Sequence, residues 1–139
     1  MPSQLFQTID FTPPKNWEDA SVISFVNPAA GDFQANIVAA KHDIGSDSLA
    51  DYASAQSSEF AAEVIEYELL QSREHKIGDN PAYTLEHVFL ADDPVRIHQL
   101  ILFVARGAEV FSLSCTHSSE EFEAHREVFE EAIASFQLR

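Results

Sequence analysis

Few residues of this chain have the types and spacing that enzyme chemistry needs. Cys115 and His117 stand two positions apart on a predicted strand and so share a face, but they match no motif that joins a nucleophile, a base and an orienting group. We interpret Cys115 as a partly buried structural thiol. None of the four glycines lies in a GxGxxG or GxxxxGK phosphate loop, and the carboxylates fall mostly on predicted helix faces and turns. We therefore expect no enzymatic activity, no catalytic residues and no cofactor.

The histidines are the other residues that could do chemistry, as metal ligands. Six are scattered along the chain without the short ligand spacings of a metal site. Three of them, His87, His98 and His117, lie on successive predicted strands and could converge. We expect no metal site, but these three residues keep a non-enzymatic small-molecule or metal-binding domain as the alternative function.

Composition limits the class of partner. The 139 residues are 45% apolar, which fits one domain over residues 1–139. The chain has 8 basic and 23 acidic residues and a net charge of −15. This charge repels phosphate backbones and anionic membranes, so we expect neither nucleic-acid binding nor direct membrane binding. A neutral or basic partner is the better expectation.

Cysteine content and the N-terminal sequence indicate the compartment. A single cysteine excludes an internal disulfide, and the first residues lack the basic start and apolar stretch of a signal peptide. No segment approaches the ~20 apolar residues of a membrane span. We expect a cytoplasmic protein.

Turn residues divide the chain into strand-length and helix-length segments. Seven segments have the pattern of strands: residues 4–11, 21–26, 33–41, 67–72, 82–90, 95–105 and 109–116. A first helix is predicted from the N-cap Ser48 to about Val64, and a closing helix follows a capping box of Ser118 and Glu121. The short connections favour antiparallel neighbours. The predicted fold class is α+β, an antiparallel sheet of about six to seven strands with two helices.

The strand over residues 95–105 is apolar on both faces. Ile97, Ile101 and Phe103 share one face with Gln99, while the residues between them point the other way. Both faces therefore need cover. The chain's own helices could cover both, or a partner could cover one.

Two glutamines interrupt predicted apolar surfaces. Gln56 lies in the apolar stripe of the first helix and Gln99 on the apolar face of the two-sided strand. A buried amide without a partner costs about 1–3 kcal/mol. Each amide either bonds within the protein, to the other glutamine, a backbone group or a trapped water, or it bonds the polar groups of an apolar guest.

Several segments, in order and at nearly full length, also resemble a known family. They are Trp17-Glu-Asp-x-Ser21, Ile37-Val38 before Lys41-His42-Asp43, Leu49-Ala-Asp-Tyr-Ala-x-x-Gln56, Gly78 with Pro81-Ala82, Gln99-Leu-Ile-Leu, and Ser135-Phe136. Together they resemble the DcrB-related domain of Eag-type chaperones of bacterial type VI secretion. The resemblance implies a PsbP-like fold, a cup-shaped homodimer, and a chaperone or adaptor function. The clients would be the hydrophobic N-terminal transmembrane segments of PAAR- or Rhs-containing effectors, bound before export.

The resemblance also implies which residues contact the client. The two glutamines and three strand residues match the family's client-binding positions: Gln56, Gln99, Val22, Ser24 and Val38. Ser24 departs from the family pattern, which is apolar there. Ile97 and Ile101 join the predicted site because they share the face of Gln99. A purely structural assembly partner, with its apolar face buried in a larger complex, is the third hypothesis.

Overall fold

Six antiparallel strands form one sheet in this computed structural model, which describes residues 9–27, 33–91 and 95–139. In chain order the elements are β1 (Val22–Val26), β2 (Asn36–Asp43), α1 (Leu49–Glu63), β3 (Ile65–Ile77), β4 (Asn80–Leu90), β5 (Arg96–Arg106), β6 (Glu109–Ser118) and α2 (Ser119–Ala134). The order across the sheet is β1-β2-β6-β5-β4-β3. Strands β3 to β6 are therefore a meander, and the hairpin of β1 and β2 joins it along β6. The predicted α+β class is confirmed.

The two helices begin where the sequence predicts. The Ser48 hydroxyl accepts a hydrogen bond of 3.1 Å from the backbone N–H of Asp51, so the first N-cap forms as expected. Ser118 is the N-cap of α2, but its hydroxyl makes no cap bond, and the predicted capping box with Glu121 is wrong in this respect. In a capping box the Glu121 carboxylate would accept the backbone N–H of Ser118. Here the Nδ1 of His117 accepts this N–H at 2.7 Å instead.

Cross-strand pairs define two faces of the sheet. We call face A the side that carries Gln99 with its paired neighbours His87 and Thr116. Face B is the opposite side, which carries Leu100 and its paired neighbour Cys115. Residues directly opposite each other on antiparallel strands point to the same side, so every strand residue can be assigned to one face from these registers.

The helices lie on opposite faces. On face A, Leu49 and Ala53 of α1 form a buried cluster with Leu85 and Phe103. On face B, Phe122 and Phe129 of α2 pack against Leu100 and Cys115. Both sides of β5 are thus covered by the protein's own helices. This explains why its sequence is apolar on both faces.

Two strand predictions differ from the structure. The predicted strand over residues 67–72 extends to Ile65–Ile77, because it pairs along almost all of β4, with register shifts between Ile65 and Glu68 and between Leu69 and Gln71. The predicted first strand over residues 4–11 lies mostly outside the described residues, and residues 9–11 are not in a strand.

Candidate functional site

The predicted strand residues of the site all lie on face A. Ser24 pairs with Val38, Val38 with Ser114, and Ser114 with Ile101, so these four side chains form one row across β1, β2, β6 and β5. Val22 and Ile97 lie two and four residues away along their strands, and therefore on the same side. The register thus brings together residues that are far apart in the sequence.

Helix α1 covers only part of face A. It packs mainly on β3, β4 and β5, and the other edge of the sheet is β1. On that edge Val22 is 57% exposed and Val26 is 54% exposed, while Val38 on β2 is half-buried. Ile97, by contrast, is buried, and Ile101 packs against the cluster beneath α1. Within the described residues, face A therefore has a half that α1 covers and an apolar half, with Val22, Val26 and Val38, that α1 leaves uncovered.

A cavity of about 230 Å³ lies between α1 and the sheet. Its lining includes Tyr52, Gln56 and Phe60 from the helix and Gln99, Ile101, Ser112 and Ser114 from the sheet. The two predicted glutamines therefore face the same cavity. The lining combines aromatic and aliphatic side chains with a few amides and hydroxyls, which is the usual composition of a binding pocket.

A chain of hydrogen bonds runs across face A from α1 to β6. The Ser57 hydroxyl lies 2.7 Å from the Tyr67 Oη, and this Oη lies 3.0 Å from His87 Nδ1. His87 Nε2 lies 2.7 Å from the Oε1 of Gln99, whose Nε2 donates to the Thr116 hydroxyl at 3.1 Å. Because the amide oxygen of Gln99 can only accept, His87 Nε2 carries the proton and Nδ1 accepts from Tyr67.

The charge state of His87 fits this direction of donation. Burial lowers the pKa of His87, more than the hydrogen bond with Gln99 raises it. The ring is also stacked on Phe60 of α1, with ring centroids 4.9 Å apart. A neutral, fixed ring therefore holds Gln99 in one orientation.

The two glutamines differ in their surroundings. Gln99 has partners on both ends of its amide and therefore bonds within the protein, although these partners are the His87 and Thr116 side chains rather than Gln56, a backbone group or a trapped water. Gln56 was predicted in the buried stripe of the helix, but that position is wrong, since its side chain is exposed and opens on the cavity. The stripe is narrower than the sequence suggests, because only Leu49 and Ala53 of α1 are buried.

The three histidines of the metal alternative do not converge. His87 points to face A, whereas His98 and His117 are paired on face B. His98 bonds the Glu86 carboxylate at 2.5 Å, and its ring stacks on Phe122 with centroids 3.7 Å apart. Over residues 9–27, 33–91 and 95–139, no cluster of three or more His, Cys, Asp or Glu side chains could hold a metal ion. The convergence of His87, His98 and His117 that motivated the metal-binding alternative is therefore not present.

Face B holds a buried ionic cluster instead. Glu86, 3% exposed, accepts hydrogen bonds from Arg126 at 2.7 and 3.3 Å, from Gln71 at 2.6 Å and from His98. Burial alone would raise the pKa of Glu86, but these hydrogen bonds outweigh it and lower the pKa to about 2. Hydrogen bonds to Glu123 and Glu86 raise the pKa of Arg126. The cluster ties α2 to β3, β4 and β5.

Cys115 lies on the same face as His117, as the sequence predicts, but deep in the core. It is fully buried, and burial raises the pKa of its thiol to about 12. A thiol with so high a pKa is a poor nucleophile near neutral pH. The interpretation of Cys115 as a structural thiol agrees with this environment.

Sequence reasoning missed the hydroxyl residues of β6. Ser112, Ser114 and Thr116 alternate along the strand, and all three point to face A between the covered and uncovered halves. Ser112 and Ser114 line the cavity with Gln56, and these three side chains have no hydrogen-bond partner in the described part of the chain. The period-two repeat of hydroxyls in the sequence Phe-Ser-Leu-Ser-Cys-Thr was the available signal.

Neither helix in the ranges that the structure describes is long and apolar enough to cross a membrane. No curated protein sequence matches the chain significantly.

Solved structures with similar folds share little sequence with the chain. PA94, a protein of unknown function from Pseudomonas aeruginosa, is 21% identical with a TM-score of 0.82, covering 94% of this chain and 92% of that one. PsbP (CyanoP) from Synechocystis sp. PCC 6803 is 17% identical with a TM-score of 0.61, covering 85% and 82%. LpqN, involved in cell envelope biogenesis of Mycobacterium tuberculosis, is 14% identical with a TM-score of 0.56, covering 84% and 83%. The predicted PsbP-like fold is confirmed.

The sequence itself matches one family over nearly its whole length. Residues 9–135 fit the DcrB family, and this range contains all six strands and both helices described above. The chain belongs to the DcrB family.

Proposed function

We propose that this protein is a non-enzymatic chaperone or adaptor. Its client is the hydrophobic N-terminal region of a type VI secretion effector with a PAAR or Rhs domain, and it binds that region in the cytoplasm before export, as a homodimer. The observation that carries the proposal is the uncovered apolar half of face A. Exposed Val22 and Val26 lie there next to Val38, on the side of the sheet that α1 leaves open.

The energetics of the client explain why it needs such a surface. A transmembrane segment exposes ~20 apolar residues in water, and burying apolar surface gains about 25 cal/mol per Å². An unshielded client would therefore aggregate. An apolar sheet face that the protein's own helices leave open can take the place of the lipid for these residues.

Polar groups beside that surface can select the pose of the client. The Gln56 amide and the Ser112 and Ser114 hydroxyls line the cavity without partners of their own in the described residues. Each can bond a polar side chain or a free backbone group of the client, where an unpaired group would cost about 1–3 kcal/mol. Gln99 has one amide N–H left over after its bond to Thr116.

The net charge supports a carrier that stays in solution. A charge of −15 disfavours adsorption to anionic membranes and to nucleic acid, and it keeps loaded carriers apart by repulsion. The client of such a carrier is bound by apolar contact rather than by charge.

The test compares one substitution on the two sides of the molecule. Val22 on face A is 57% exposed and Val128 on α2 is 55% exposed, so Val22→Asp and Val128→Asp make the same change at equal exposure. Each variant is co-expressed with a tagged N-terminal fragment of a PAAR effector that contains its transmembrane segments. We expect Val22→Asp to reduce the captured and soluble fragment at least about tenfold, because a carboxylate would be buried against the client. Val128→Asp should leave capture at the wild-type level.

Equal capture by both variants would show that face A does not bind the client.

The cavity favours a second candidate, a small-molecule binding domain, although its volume is below the roughly 300–1,000 Å³ of typical ligand pockets. A thermal-shift screen of small amphipathic compounds separates the two functions. The small-molecule function would be favoured by a compound that raises the melting temperature of the wild type but not of Gln56→Leu, together with no capture of the effector fragment.

A further inference from the structure

The N-cap of α2 is bonded to a histidine ring at the place where a capping box would use a carboxylate. The backbone N–H of Ser118 donates to Nδ1 of His117 at 2.7 Å, and the Ser118 hydroxyl lies 3.4 Å from the same nitrogen. Because Nδ1 accepts, the neutral ring carries its proton on Nε2. His117 is buried on face B at the end of β6. The start of α2 therefore depends on an acceptor that acid can remove.

A protonated His117 ring would conflict with these surroundings. Both ring nitrogens would then carry hydrogens, so the Nδ1–H would point at the Ser118 N–H, donor against donor. The new positive charge would lie at the N-terminus of α2, where the helix dipole is itself positive. Burial adds to the cost, because the ring stacks on Phe33 with centroids 6.0 Å apart. The first turn of α2 therefore fits the neutral ring only.

The titratable groups that face His117 in the described residues come from β5 and α2. His98 of β5 is its cross-strand partner, and α2 contributes Glu121 and the ring of His125, whose centroid lies 4.6 Å away. At the nearby end of β2, Asn36 does not titrate. Burial and His125 together outweigh the attraction of the Glu121 carboxylate, so the pKa of His117 is lowered from its usual 6.5.

The neighbouring His125 can become charged without losing its own hydrogen bond. Its Nδ1 donates to the backbone carbonyl of Glu121 at 3.1 Å, because a carbonyl oxygen can only accept. A second proton on Nε2 leaves this bond intact. Once His125 is charged, a second positive charge on His117 is repelled at close range. The two rings therefore respond differently to acid, and only His117 has to break a bond.

We propose that His117 is a pH-sensitive latch, which fixes the first turn of α2 on face B when neutral and releases it when protonated. A capping-box carboxylate would keep its acceptors down to about pH 4, whereas an imidazole loses one near pH 6.5. The released state has the ordinary pKa and binds the proton more readily than the closed state. The stability that the latch contributes is therefore fully present above about pH 6.5 and is lost as the pH falls below it.

The test measures hydrogen exchange of single amides by NMR on the full chain, at about pH 7 and about pH 5. The amides of Phe122 and Glu123 report on the first turn, since each bonds the carbonyl four residues before it. After correction for the intrinsic pH dependence of exchange, we expect their protection to fall at least about fivefold in acid. His117→Asn offers an amide oxygen in place of Nδ1 and cannot be protonated, so protection should change less than about twofold.

The matched control is His75→Asn on β3. Burial also lowers the pKa of His75, but this ring bonds Thr84 far from α2 in the sheet order, so the variant should keep the wild-type acid response of α2. Loss of protection in His117→Asn equal to that of the wild type would overturn the latch.

Ring nitrogen NMR of the wild type gives a second result that does not depend on any variant folding. We expect His117 as the Nε2–H tautomer at neutral pH, with a titration midpoint below 6.5. His125→Asn should raise this midpoint by removing a repelling charge, and Glu121→Gln should lower it by removing an attracting one. An Nδ1–H tautomer or a midpoint at or above 6.5 would contradict the latch. Neither face A nor the proposed client takes part in it, so failure of the capture assay leaves these results unaffected.

Discussion

The two faces of the sheet are closed to different degrees, although the same strands form both. On face B, α2 places two phenylalanines on the apolar core, and the buried carboxylate of Glu86 has hydrogen bonds to both of its oxygens. On face A, α1 covers half of the surface and leaves a cavity beneath it and exposed valines beside it. The comparison indicates that face B is closed by packing and by ion pairing, whereas face A combines a packed cluster beneath α1 with an apolar surface that α1 leaves open.

The largest effect should come from removing a ring on face B. Phe122 is fully buried and stacks on His98, so Phe122→Ala should lower the free energy of unfolding by about 4 kcal/mol. Urea denaturation measures the change. Val128→Ala in the same helix is the control, since this side chain is 55% exposed, and it should change stability by less than about 0.5 kcal/mol. Equal, small losses in both variants would show that α2 does not hold face B as described.

The buried carboxylate should give the next largest effect, and one that depends on pH. Glu86→Gln leaves Arg126 without its buried counter-ion and His98 without its carboxylate hydrogen-bond partner, and should cost about 3 kcal/mol at pH 7. Since the pKa of Glu86 is lowered from 4.5 to about 2 in the folded protein, its charged form stabilises the fold above pH 4.5, and this stabilisation is lost as the pH falls through about 2.

The measurement is the difference in unfolding free energy between wild type and Glu86→Gln from pH 7 down to pH 2. We expect the difference to be largest at neutral pH and to shrink between pH 4.5 and pH 2. Glu123→Gln is the control, because Glu123 bonds the same arginine from the exposed side. A constant difference across this range would contradict the buried cluster.

The sequence predicted the elements of both faces well, but not how residues meet across strands. Hairpin turns and apolar alternation were enough to predict the meander β3 to β6 and its neighbouring helices. Alternation also determines which residues of one strand share a side, which is why Ile97, Gln99 and Ile101 were placed together correctly. It does not determine register between strands, so the sequence left open that His87 is paired with Gln99 on face A and that His98 is paired with His117 on face B. The side on which each helix packs was open for the same reason.

Exposure of Gln56 is a second point that helical periodicity did not predict. A helix that lies flat on a sheet buries a whole stripe, and the stripe of α1 contains Gln56 at the right spacing. In the structure only Leu49 and Ala53 are buried, and a cavity separates the next turn from the sheet. How closely a helix approaches a sheet depends on the side chains on both elements, and the small Ser112 and Ser114 under α1 leave the space open.

The two glutamines give the smallest predicted effect and compare a bonded amide with an unbonded amide at the same cavity. Gln99→Leu removes the partner of His87 Nε2 and of the buried Thr116 hydroxyl, and should cost about 2 kcal/mol in urea denaturation. Gln56→Leu makes the same change on an exposed side chain and should alter stability by less than about 0.5 kcal/mol. In the capture assay, Gln56→Leu should nevertheless weaken binding, because its amide is the one without an internal partner. If Gln56→Leu lowers stability as much as Gln99→Leu, the Gln56 amide is bonded within the protein and the cavity beneath α1 is closed in solution. If neither substitution lowers the free energy of unfolding, the hydrogen-bond chain from Ser57 to Thr116 does not hold Gln99 in place.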